Sequence, residues 1–414
     1  MNHDEIRKGR RLMWRRPAVL VTAALAAVAA VIVALVGHRD AAPSPAVPST
    51  RVSAAASTAA GRIVDGRSVG LLADGRVIDG GVLTTALQQA ARRAPATLLL
   101  PQGALRLRLD RPVTVPSGVT VRGAGSDLTT LAVQPPDTEL GPLFLLTGDR
   151  PALADLSLAR TGAAPAVLVG IGSSSAASLA QVRLDCARNR WSSACHGIQL
   201  VAAKGETIRG LRIDASAVQQ ADYALFQTSG GQGTVRDLVV SGSRFSDNHA
   251  SDLELNAPAG VMQDVQILDN DFSSNRSRGE LSGWGVGLAH VSGAIVSDNR
   301  FRGYSMSGVH VEDRSVDVVV RGNTFVDVGT RPLAYQSDVI VLSGSTRVRV
   351  EANTFRHTTP PGTTSTAVWV GHGGAGWPAD VVVQDNLDVG GGGRPVVGDY
   401  GVERLLSKNN RSQG

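Results

Sequence analysis

Much of this chain consists of short segments in which apolar residues alternate with polar ones. In the stretch "VEDRSVDVVVRGNTFVDV" (311–328), Val318 and Val320 are followed by Asn323 and Phe325. Alternation with a period of two is typical of a β-strand that buries one of its faces. The segments are separated by Gly, Asn, Asp and Ser, which favour turns. The pattern therefore predicts an all-β fold for the body of the chain.

The same pattern of residues recurs at intervals of 24 to 33 residues. Its apolar pairs are Leu156/Leu158, Val182/Leu184, Leu211/Ile213, Leu238/Val240, Val265/Ile267, Ala294/Val296, Val318/Val320, Val348/Val350 and Val381/Val383. The later pairs are followed by Asn270, Asn299, Asn323, Asn353 and Asn386, and two residues beyond that position stand Phe245, Phe272, Phe301, Phe325 and Phe355, with Leu387 in the last coil. Such repeats predict a solenoid of about ten or more stacked coils, with a Phe column in the core and an Asn ladder at a turn. A β-propeller is the alternative, but its blades need longer repeats of four strands each.

One segment has the periodicity of an amphipathic helix. In "GGVLTTALQQAARRAP" (80–95), the apolar residues Val82, Leu83, Ala86, Leu87, Ala90 and Ala91 recur at helical spacing. Pro95 ends the segment. We expect this helix to cover the open first coil of the solenoid, where edge strands would otherwise pair with neighbouring molecules.

The beginning of the body resembles a known family. The stretch "LTTALQQAARRAPATLLLPQGALRLRLDRPVTVPSGVTVRGAGSDLTTL" (83–131) resembles the N-terminal part of pectate-lyase-like right-handed parallel β-helix proteins. It contains a capping helix, an "LPQG" turn and "PSGVTVRGAG". Together with the later coils, the resemblance covers roughly residues 62–410. It implies a right-handed parallel β-helix. It implies no single reaction, because the family includes lyases, hydrolases, epimerases and binding or adhesion proteins.

An apolar segment precedes the body. Residues 18–36, "AVLVTAALAAVAAVIVALV", carry no charge and would span about 28 Å as a helix, close to the thickness of a bilayer core. Six basic residues lie in 1–17, so the positive-inside rule predicts a cytoplasmic tail (1–17), a transmembrane anchor (18–36) and an exported body. A cleaved signal peptide, which would release the protein, is the alternative. Residues 37–61, rich in Pro, Ala and Ser, predict an extended linker, and residues 62–414 form the β-helix domain.

The net charge of the chain bears on its binding partners, and its two cysteines bear on a disulfide. The formal net charge is +5, but the first 17 residues hold six basic and two acidic side chains, which leaves 35 basic against 34 acidic residues in the remainder. A nearly neutral body gives no reason to expect nucleic-acid binding. Cys186 and Cys195, in "CARNRWSSAC", are predicted to form a disulfide in an exported chain, with two free thiols as the alternative.

A second set of strands lies between the Asn turns and presents candidate chemistry. Its segments are "SDLELN" (251–256), "GVGLAH" (285–290), "GVHVED" (308–313), "DVIVLS" (338–343) and "AVWVGH" (367–372). Aligned on their apolar residues, they predict two outward columns: Glu254/Gly287/His310/Ile340/Trp369 and Asn256/Ala289/Glu312/Leu342/Gly371. Because rungs are ~4.8 Å apart, Glu254 and His310 would face each other across about 9.6 Å, with small residues between them.

This slot is the candidate site, and a sugar unit is the ligand that we expect it to hold. The candidate catalytic residues are Glu254, His310, Glu312, His290 and Tyr304. The candidate substrate-binding residues are Asp252, Asn256, Trp284, Arg302, Asp313, Trp369 and His372, in which the aromatic rings offer stacking faces and Arg302 a partner for a carboxylate. The alternative for each polar residue is ordinary solvation, and Trp369 could instead cover an apolar patch with Ile340 and Leu342.

The sequence leaves several reactions open. A glycoside hydrolase would use two carboxyl groups, for which Glu254 and Glu312 are the candidates. A lyase or uronate epimerase would use His310 or His290 as base and Tyr304 as acid, with Arg302 or Ca²⁺ neutralising the substrate carboxylate. Of the ordered signatures of polygalacturonases only "GHG" (371–373) occurs, and the "DPHE" signature of alginate epimerases is absent. We therefore expect a membrane-anchored polysaccharide lyase, hydrolase or epimerase, with a non-catalytic glycan-binding or scaffold protein as the alternative; neither a metal nor a cofactor is assigned.

Overall fold

The structure of the protein is a computed structural model that describes residues 62–135, 141–186, 195–227, 231–274, 283–330, 337–358 and 366–413. The predicted tail (1–17), anchor (18–36) and linker (37–61) lie outside the described residues, so those three assignments stay predictions. Within the described ranges, no helix has the length and apolarity needed to cross a membrane.

The described part of the chain contains one α-helix, α1 (Gly80–Ala91), a short 3₁₀ turn (Gly66–Val69) and 36 strands. The first twelve strands are β1 (Arg62–Asp65), β2 (Val77–Asp79), β3 (Ala96–Leu99), β4 (Gly103–Arg108), β5 (Val113–Val115), β6 (Val119–Arg122), β7 (Thr129–Gln134), β8 (Pro142–Asp149), β9 (Ala152–Arg160), β10 (Ala166–Ser175), β11 (Ser178–Asp185) and β12 (Cys195–Leu200). The next twelve are β13 (Thr207–Arg209), β14 (Arg212–Asp214), β15 (Ala217–Gln219), β16 (Tyr223–Gln227), β17 (Thr234–Ser241), β18 (Arg244–Ser246), β19 (Ser251–Asn256), β20 (Val261–Leu268), β21 (Asp271–Ser273), β22 (Val286–Ala289), β23 (Val291–Ser297) and β24 (Arg300–Arg302). The last twelve are β25 (Val309–Glu312), β26 (Val316–Arg321), β27 (Thr324–Val326), β28 (Val339–Leu342), β29 (Thr346–Glu351), β30 (Thr354–Arg356), β31 (Val368–Gly371), β32 (Ala379–Gln384), β33 (Leu387–Val389), β34 (Val397–Tyr400), β35 (Glu403–Lys408) and β36 (Arg411–Gln413).

These strands stack in parallel, each on the equivalent strand of the next coil. In the C-terminal half, one coil is a sequence of three strands, and the coils make three sheets that run along the solenoid. One sheet contains β17, β20, β23, β26, β29, β32 and β35, and a second contains β18, β21, β24, β27, β30, β33 and β36. The third, which we call the site sheet, contains β16, β19, β22, β25, β28, β31 and β34. The described residues make about eleven turns, so the predicted parallel β-helix is confirmed.

The single helix lies at the N-terminal end of the solenoid. Asp79 caps it, because its side chain accepts a hydrogen bond from the backbone N–H of Gly81 at 2.8 Å. Its apolar stripe, including Leu83 and Leu87, is buried and packs against strands of the first coils. This placement agrees with the predicted role of a cover over the first coil.

Stacked phenylalanine rings occupy the interior beside the second sheet. Phe245, Phe272, Phe301, Phe325 and Phe355 are all fully buried. Successive ring centroids lie 4.7 to 5.2 Å apart, close to the spacing between neighbouring strands. The predicted Phe column is therefore confirmed, and each ring fills the core above the ring of the previous coil.

The asparagines form a continuous ladder at the turn before the second sheet. Asn299 illustrates the pattern: its Nδ2 donates to the backbone oxygen of Ile267 at 2.9 Å and to Asn323 Oδ1 at 3.0 Å. Its backbone N–H donates to the same Asn323 Oδ1 at 2.9 Å. The ladder runs through Asn270, Asn299, Asn323, Asn353, Asn386 and Asn410. The structural interpretation of these asparagines is confirmed.

The Phe column ends in a buried polar network. Asp388, and not Leu387 as the sequence alignment suggested, pairs in register with Phe355. Arg394 Nε donates to Asp388 Oδ2 at 3.1 Å, and Arg394 Nη2 donates to Asp338 Oδ2 at 2.7 Å. His357 Nε2 contacts the same guanidinium, and all four side chains are buried. A buried carboxylate is tolerated here because the arginine neutralises it.

Cys186 and Cys195 are joined by a disulfide, with their Cα atoms 5.7 Å apart. The bond closes the segment 187–194, which lies outside the described residues, and it ties the end of one coil to the start of β12.

We predict that Asn323→Ala lowers the free energy of unfolding by about 3 kcal/mol or more. The substitution leaves the N–H of Asn299 and the backbone oxygen of Val296 buried without their present partners, at roughly 1–3 kcal/mol for each group. The exposed amide of Gln266, on β20, provides the control, since its replacement by Ala should change stability by about 0.5 kcal/mol or less. Urea unfolding followed by circular dichroism measures both, and equal effects of the two substitutions would contradict the ladder's role.

Candidate functional site

The site sheet brings the predicted outward residues into one register. Leu253 pairs with Val286 and Val286 with Val309, which places Glu254 beside Gly287 and Gly287 beside His310. The neighbouring column is Asn256, Ala289 and Glu312. The predicted alignment of these five strands is confirmed as far as β31, where Trp369 follows Ile340.

Glycine on the middle rung makes room for the Glu254 carboxylate. A Cβ atom added to Gly287 would lie 3.0 Å from Glu254 Oε2 and 3.5 Å from its carboxyl carbon. The Glu254 side chain therefore reaches over Gly287 toward the next rung. There, His310 Nε2 lies 3.6 Å from Glu312 Oε2. Two carboxyl groups and one imidazole thus share a single outer wall.

The side chains on this wall are more buried than expected for outward positions of an alternating strand. His310 is only 7% exposed, and the ring of Trp284 lies against it with centroids 4.5 Å apart. Among the described residues, Glu254 Oε2, both ring nitrogens of His310 and Trp284 Nε1 are buried without a hydrogen-bond partner. Such groups are costly to leave unsatisfied, which marks this cluster as the candidate functional site.

Burial changes the protonation of the three groups. Desolvation raises the pKa of Glu254 to about 7, although a hydrogen bond from Ser251 acts in the opposite direction. Desolvation, together with the charges of Asp313 and Glu254, raises the pKa of Glu312 to about 8. The same cause lowers the pKa of His310 to about 3, so this imidazole is neutral at physiological pH. Carboxyl groups with a pKa near neutrality are typical of acid–base sites.

Three further predicted residues form the rim of this cluster. His290 Nδ1 lies 3.3 Å from Asn256 Oδ1, at the end of the second column. Desolvation lowers the pKa of His290, with the nearby Asp313 carboxylate opposing it and Arg314 adding to it. Asp313 Oδ1 accepts a hydrogen bond from Ser343 at 2.5 Å. The structure therefore brings His290, Asn256 and Asp313 to the edge of the site.

Asp252 and Tyr304 do not lie on the outer wall, and their assignment to the site is corrected. Asp252 is 2% exposed, and its carboxylate accepts hydrogen bonds from Asn248 Nδ2 at 2.6 Å and from Tyr304 Oη. Tyr304 belongs to the hydrophobic core. The alternation fails here because the strands begin irregularly: a Cβ atom added to Gly285, the neighbour of Asp252 in the next coil, would meet the ring of Phe301.

Burial favours the neutral form of both members of the interior pair. Desolvation raises the pKa of Asp252 to about 7, while the hydrogen bonds from Tyr304 and Asn248 oppose it. Desolvation followed by the Asp252 charge raises the pKa of Tyr304 well above its ordinary value. Because Tyr304 is bonded to Asp252 inside the core, it is not placed to protonate a substrate on the wall.

Three other candidates lie apart from the cluster. Arg302 donates two hydrogen bonds to the Asp271 carboxylate, at 3.0 and 3.1 Å, on the second sheet. His372 is exposed, and its ring contacts Trp377. Trp369 lies two rungs beyond His310 and stacks on Tyr400, with ring centroids 5.3 Å apart. Arg302 is therefore not available near the acids, and Trp369 marks a different part of the same wall.

The sequence analysis missed an aromatic cluster on the other side of Glu254. Phe226 is the register partner of Glu254 in the preceding coil, and Tyr223 stacks on it with centroids 5.3 Å apart. The ring of His196 lies 4.6 Å from that of Phe226. Extending the outward column one coil upstream would have found Phe226, but this coil lacks the Asn that marks the later repeats.

No group of three or more His, Cys, Asp or Glu side chains suited to a metal ion occurs in the described ranges. Ca²⁺, which the sequence left open as one option for a lyase or an epimerase, stays unassigned.

Comparison with known proteins gives the class. The family model described as "Right handed beta helix region" matches residues 196–386. The chain has the right-handed parallel β-helix fold that the resemblance of its N-terminal part implied. No curated protein sequence matches it.

Solved structures agree on the fold at low sequence identity. A surface adhesin of Streptococcus pneumoniae, PfbA, superposes with a TM-score of 0.63 at 12% identity, over 84% of this chain and 90% of that one. The Dettilon tailspike protein gives 0.61 at 11% identity, over 84% and 70%. A tailspike protein from the Acinetobacter baumannii bacteriophage Fri1, a capsular polysaccharide depolymerase, gives 0.57 at 13% identity, over 84% and 63%. At these identities the likeness shows the fold alone.

We predict that ionisation of the site destabilises the fold. In the unfolded chain, Glu312 has an ordinary pKa of 4.5, whereas burial raises it to about 8 in the folded chain. The stability that goes with this raised pKa is complete below about pH 4.5 and is lost as the pH rises to about 8. Glu312→Gln removes this loss. The melting temperature of the variant, relative to that of the wild type, should therefore rise by a few degrees between pH 5 and pH 9.

Thermal unfolding at several pH values measures this gain. Asp110→Asn, which changes an exposed acid between β4 and β5 and outside the site, is the control and should follow the wild type across the range. A difference between Glu312→Gln and wild type that is constant with pH would show that Glu312 is not protonated by burial.

Proposed function

We propose that this protein hydrolyses glycosidic bonds in a polysaccharide, with Glu254 and Glu312 as its two catalytic carboxyl groups. The observation that supports the proposal most is their electrostatic state: both are shielded acids on one wall, and burial brings the pKa of each close to neutral. Glycoside hydrolases need one carboxyl group that carries a proton and one that does not. Two acids in unequal environments meet that need.

The surroundings of the two carboxyl groups indicate their roles. Burial and the charges of Asp313 and Glu254 all raise the pKa of Glu312, which is the general acid that protonates the leaving-group oxygen. At Glu254 a hydrogen bond from Ser251 opposes the effect of burial on the pKa, and this carboxyl group is the base or nucleophile. The Glu254 charge also raises the pKa of Glu312, which helps to keep the acid protonated while the base is charged.

His310 and Trp284 would orient the sugar. With its pKa lowered to about 3, His310 is a weak base, but a neutral imidazole donates one hydrogen bond and accepts another. Its two ring nitrogens and Trp284 Nε1 have no described partner, so sugar hydroxyls would satisfy them.

The site's arrangement disfavours a lyase or an epimerase. Both reactions remove a proton beside a uronate carboxylate and use hydrogen-bond donors or a cation to stabilise the charge that develops. Arg302 is committed to Asp271 on another sheet, and Tyr304 is bonded to Asp252 in the core. A hydrolase uses only the acids that the wall presents.

The neighbours support a polysaccharide as the substrate class. One of the structures with this fold is a capsular polysaccharide depolymerase. Another is an adhesin, and it favours a second candidate function in which the wall binds a glycan and does not cleave it.

We also propose that residues 18–36 hold the β-helix outside the cytoplasm, as the basic residues before them indicate. Cell fractionation of the tagged full-length chain should recover it in the membrane fraction, with its C-terminus open to added protease. Recovery in the cytosol would contradict this placement.

We predict that Glu254→Gln and Glu312→Gln each lower kcat about a hundredfold or more, because each removes a group that transfers a proton or attacks the sugar. The full-length protein would first be screened on neutral and uronate-containing polysaccharides, with new reducing ends and unsaturated-uronate absorbance as readouts. New reducing ends without that absorbance are expected. Glu351→Gln is the matched control and should leave kcat unchanged.

The pH profile provides an independent measurement. For the wild type, kcat/KM should be bell-shaped, with its maximum between about pH 7 and pH 8. Below that range Glu254 takes up a proton, and above it Glu312 loses its proton, so both sides of the bell lose activity. Binding of a glycan without any turnover would instead support the adhesin-like function.

A further inference from the structure

The site sheet continues beyond the acids in both directions, and aromatic rings stand at each end. On the N-terminal side, Tyr223 is half-buried and stacks on Phe226, which is 5% exposed and rests against His196. Burial and then the Glu254 charge raise the pKa of Tyr223 to about 12, so its hydroxyl stays protonated next to the carboxylate. This places a fixed phenol ring beside the proposed base.

On the C-terminal side, glycines let two rings lie along the wall. A Cβ atom added to Gly371 would lie 2.4 Å from the nearest atom of the Trp369 ring, and one added to Gly398 would lie 2.7 Å from the Tyr400 ring. Each ring therefore covers a position where the sheet has no side chain. Tyr400 is 47% exposed and Trp369 is partly exposed, so the stacked pair presents aromatic surface to solvent.

The strand register gives the distance between these ends. The column runs Phe226, Glu254, Gly287, His310, Ile340 and Trp369, which is five steps between strands. At ~4.8 Å per step, Trp369 lies about 24 Å from Phe226 along the solenoid axis. The acids lie between, together with the unpartnered atoms of Glu254, His310 and Trp284.

We propose that a glycan chain binds parallel to the solenoid axis, with one sugar ring on Tyr223 and another on the Trp369–Tyr400 pair, on opposite sides of the acids. A sugar ring has a face of C–H groups that packs on an aromatic ring, and hydroxyls at its edge that bond polar groups. This wall offers them in that order: aromatic, acid and imidazole, aromatic. The inference rests on the proposed function in that a glycan is the ligand, and it adds the direction of the chain and the two outer binding positions.

The test compares glycans of different lengths. The polysaccharide that binds best in the screen would be cut into a series of defined oligosaccharides. Their dissociation constants would be measured with the full-length protein carrying Glu254→Gln, which prevents cleavage during the measurement, and this form is the reference for every variant below. Tyr223→Ala and Trp369→Ala should each weaken binding of the long members roughly three- to tenfold, the range expected for one aromatic contact. The shortest members, which reach only the acids, should bind as they do to the reference form.

Conservative and distant variants serve as controls. Tyr223→Phe and Trp369→Phe keep a ring at each position and should bind the long oligosaccharides nearly as well as the reference form. Trp377→Ala removes an exposed tryptophan, 53% accessible, from outside the column, and should have no effect. Circular dichroism of each variant verifies that it is folded.

The outcomes separate this inference from the proposed function. Unchanged binding of long oligosaccharides to Tyr223→Ala and Trp369→Ala would overturn the extended site, even where Glu254→Gln abolishes turnover. Equal weakening at every length would also overturn it, as would failure of every polysaccharide in the screen to bind. A length-dependent loss supports it, and would do so even where the glutamate variants show that no hydrolysis takes place.

Discussion

The in-register stacking of coils is the constraint on which the rest of this structure depends. Each coil has Val, Leu or Ile side chains that only the next coil can bury, so the apolar faces fix the register of every strand. Once that register is fixed, the outward residues are fixed with it. Glu254 and His310 are 56 residues apart in the chain, yet they lie two rungs apart on one sheet. The varying lengths between coils are absorbed at the turns and do not disturb this alignment.

A rigid interior also allows the wall to hold acids that burial makes unfavourable. The Asn ladder satisfies buried backbone groups at a turn of each later coil, and the stacked Phe rings fill the space behind it. Burial of Glu254 and Glu312 works against folding at neutral pH, as their raised pKa values show. The repeated contacts of the solenoid offset that cost. Functional sites are commonly placed where such unfavourable groups are supported by a stable scaffold.

The periodicity of apolar residues in the sequence predicted those features of the structure that depend on which side chains face the core. The parallel β-helix, the capping helix, the Phe column, the Asn ladder and the alignment of Glu254, Gly287 and His310 all follow from which residues face the core. The errors have local causes. Asp252 was placed on the wall because alternation was carried through to the start of the strand, and Tyr304 because it is close to the site in sequence. A Cβ atom added to Gly285 or Gly308 would meet a core Phe ring, so the positions just before β22 and β25 face the interior. Arg302 was judged near the site from sequence distance, although its strand belongs to another sheet and Asp271 holds it.

The position of the site on strands, and not on turns, bears on what it can recognise. Side chains on a sheet of this kind repeat every ~4.8 Å in one direction, because the hydrogen-bonded backbone leaves them little freedom to rearrange. A compact ligand would contact only the acids and the imidazole, and the rings of Tyr223 and Trp369 would then have no role in binding. A polymer with its own short repeat can follow the wall and use both ends. The same stacking that buries the core therefore favours a long, regular substrate that lies along the axis of the solenoid.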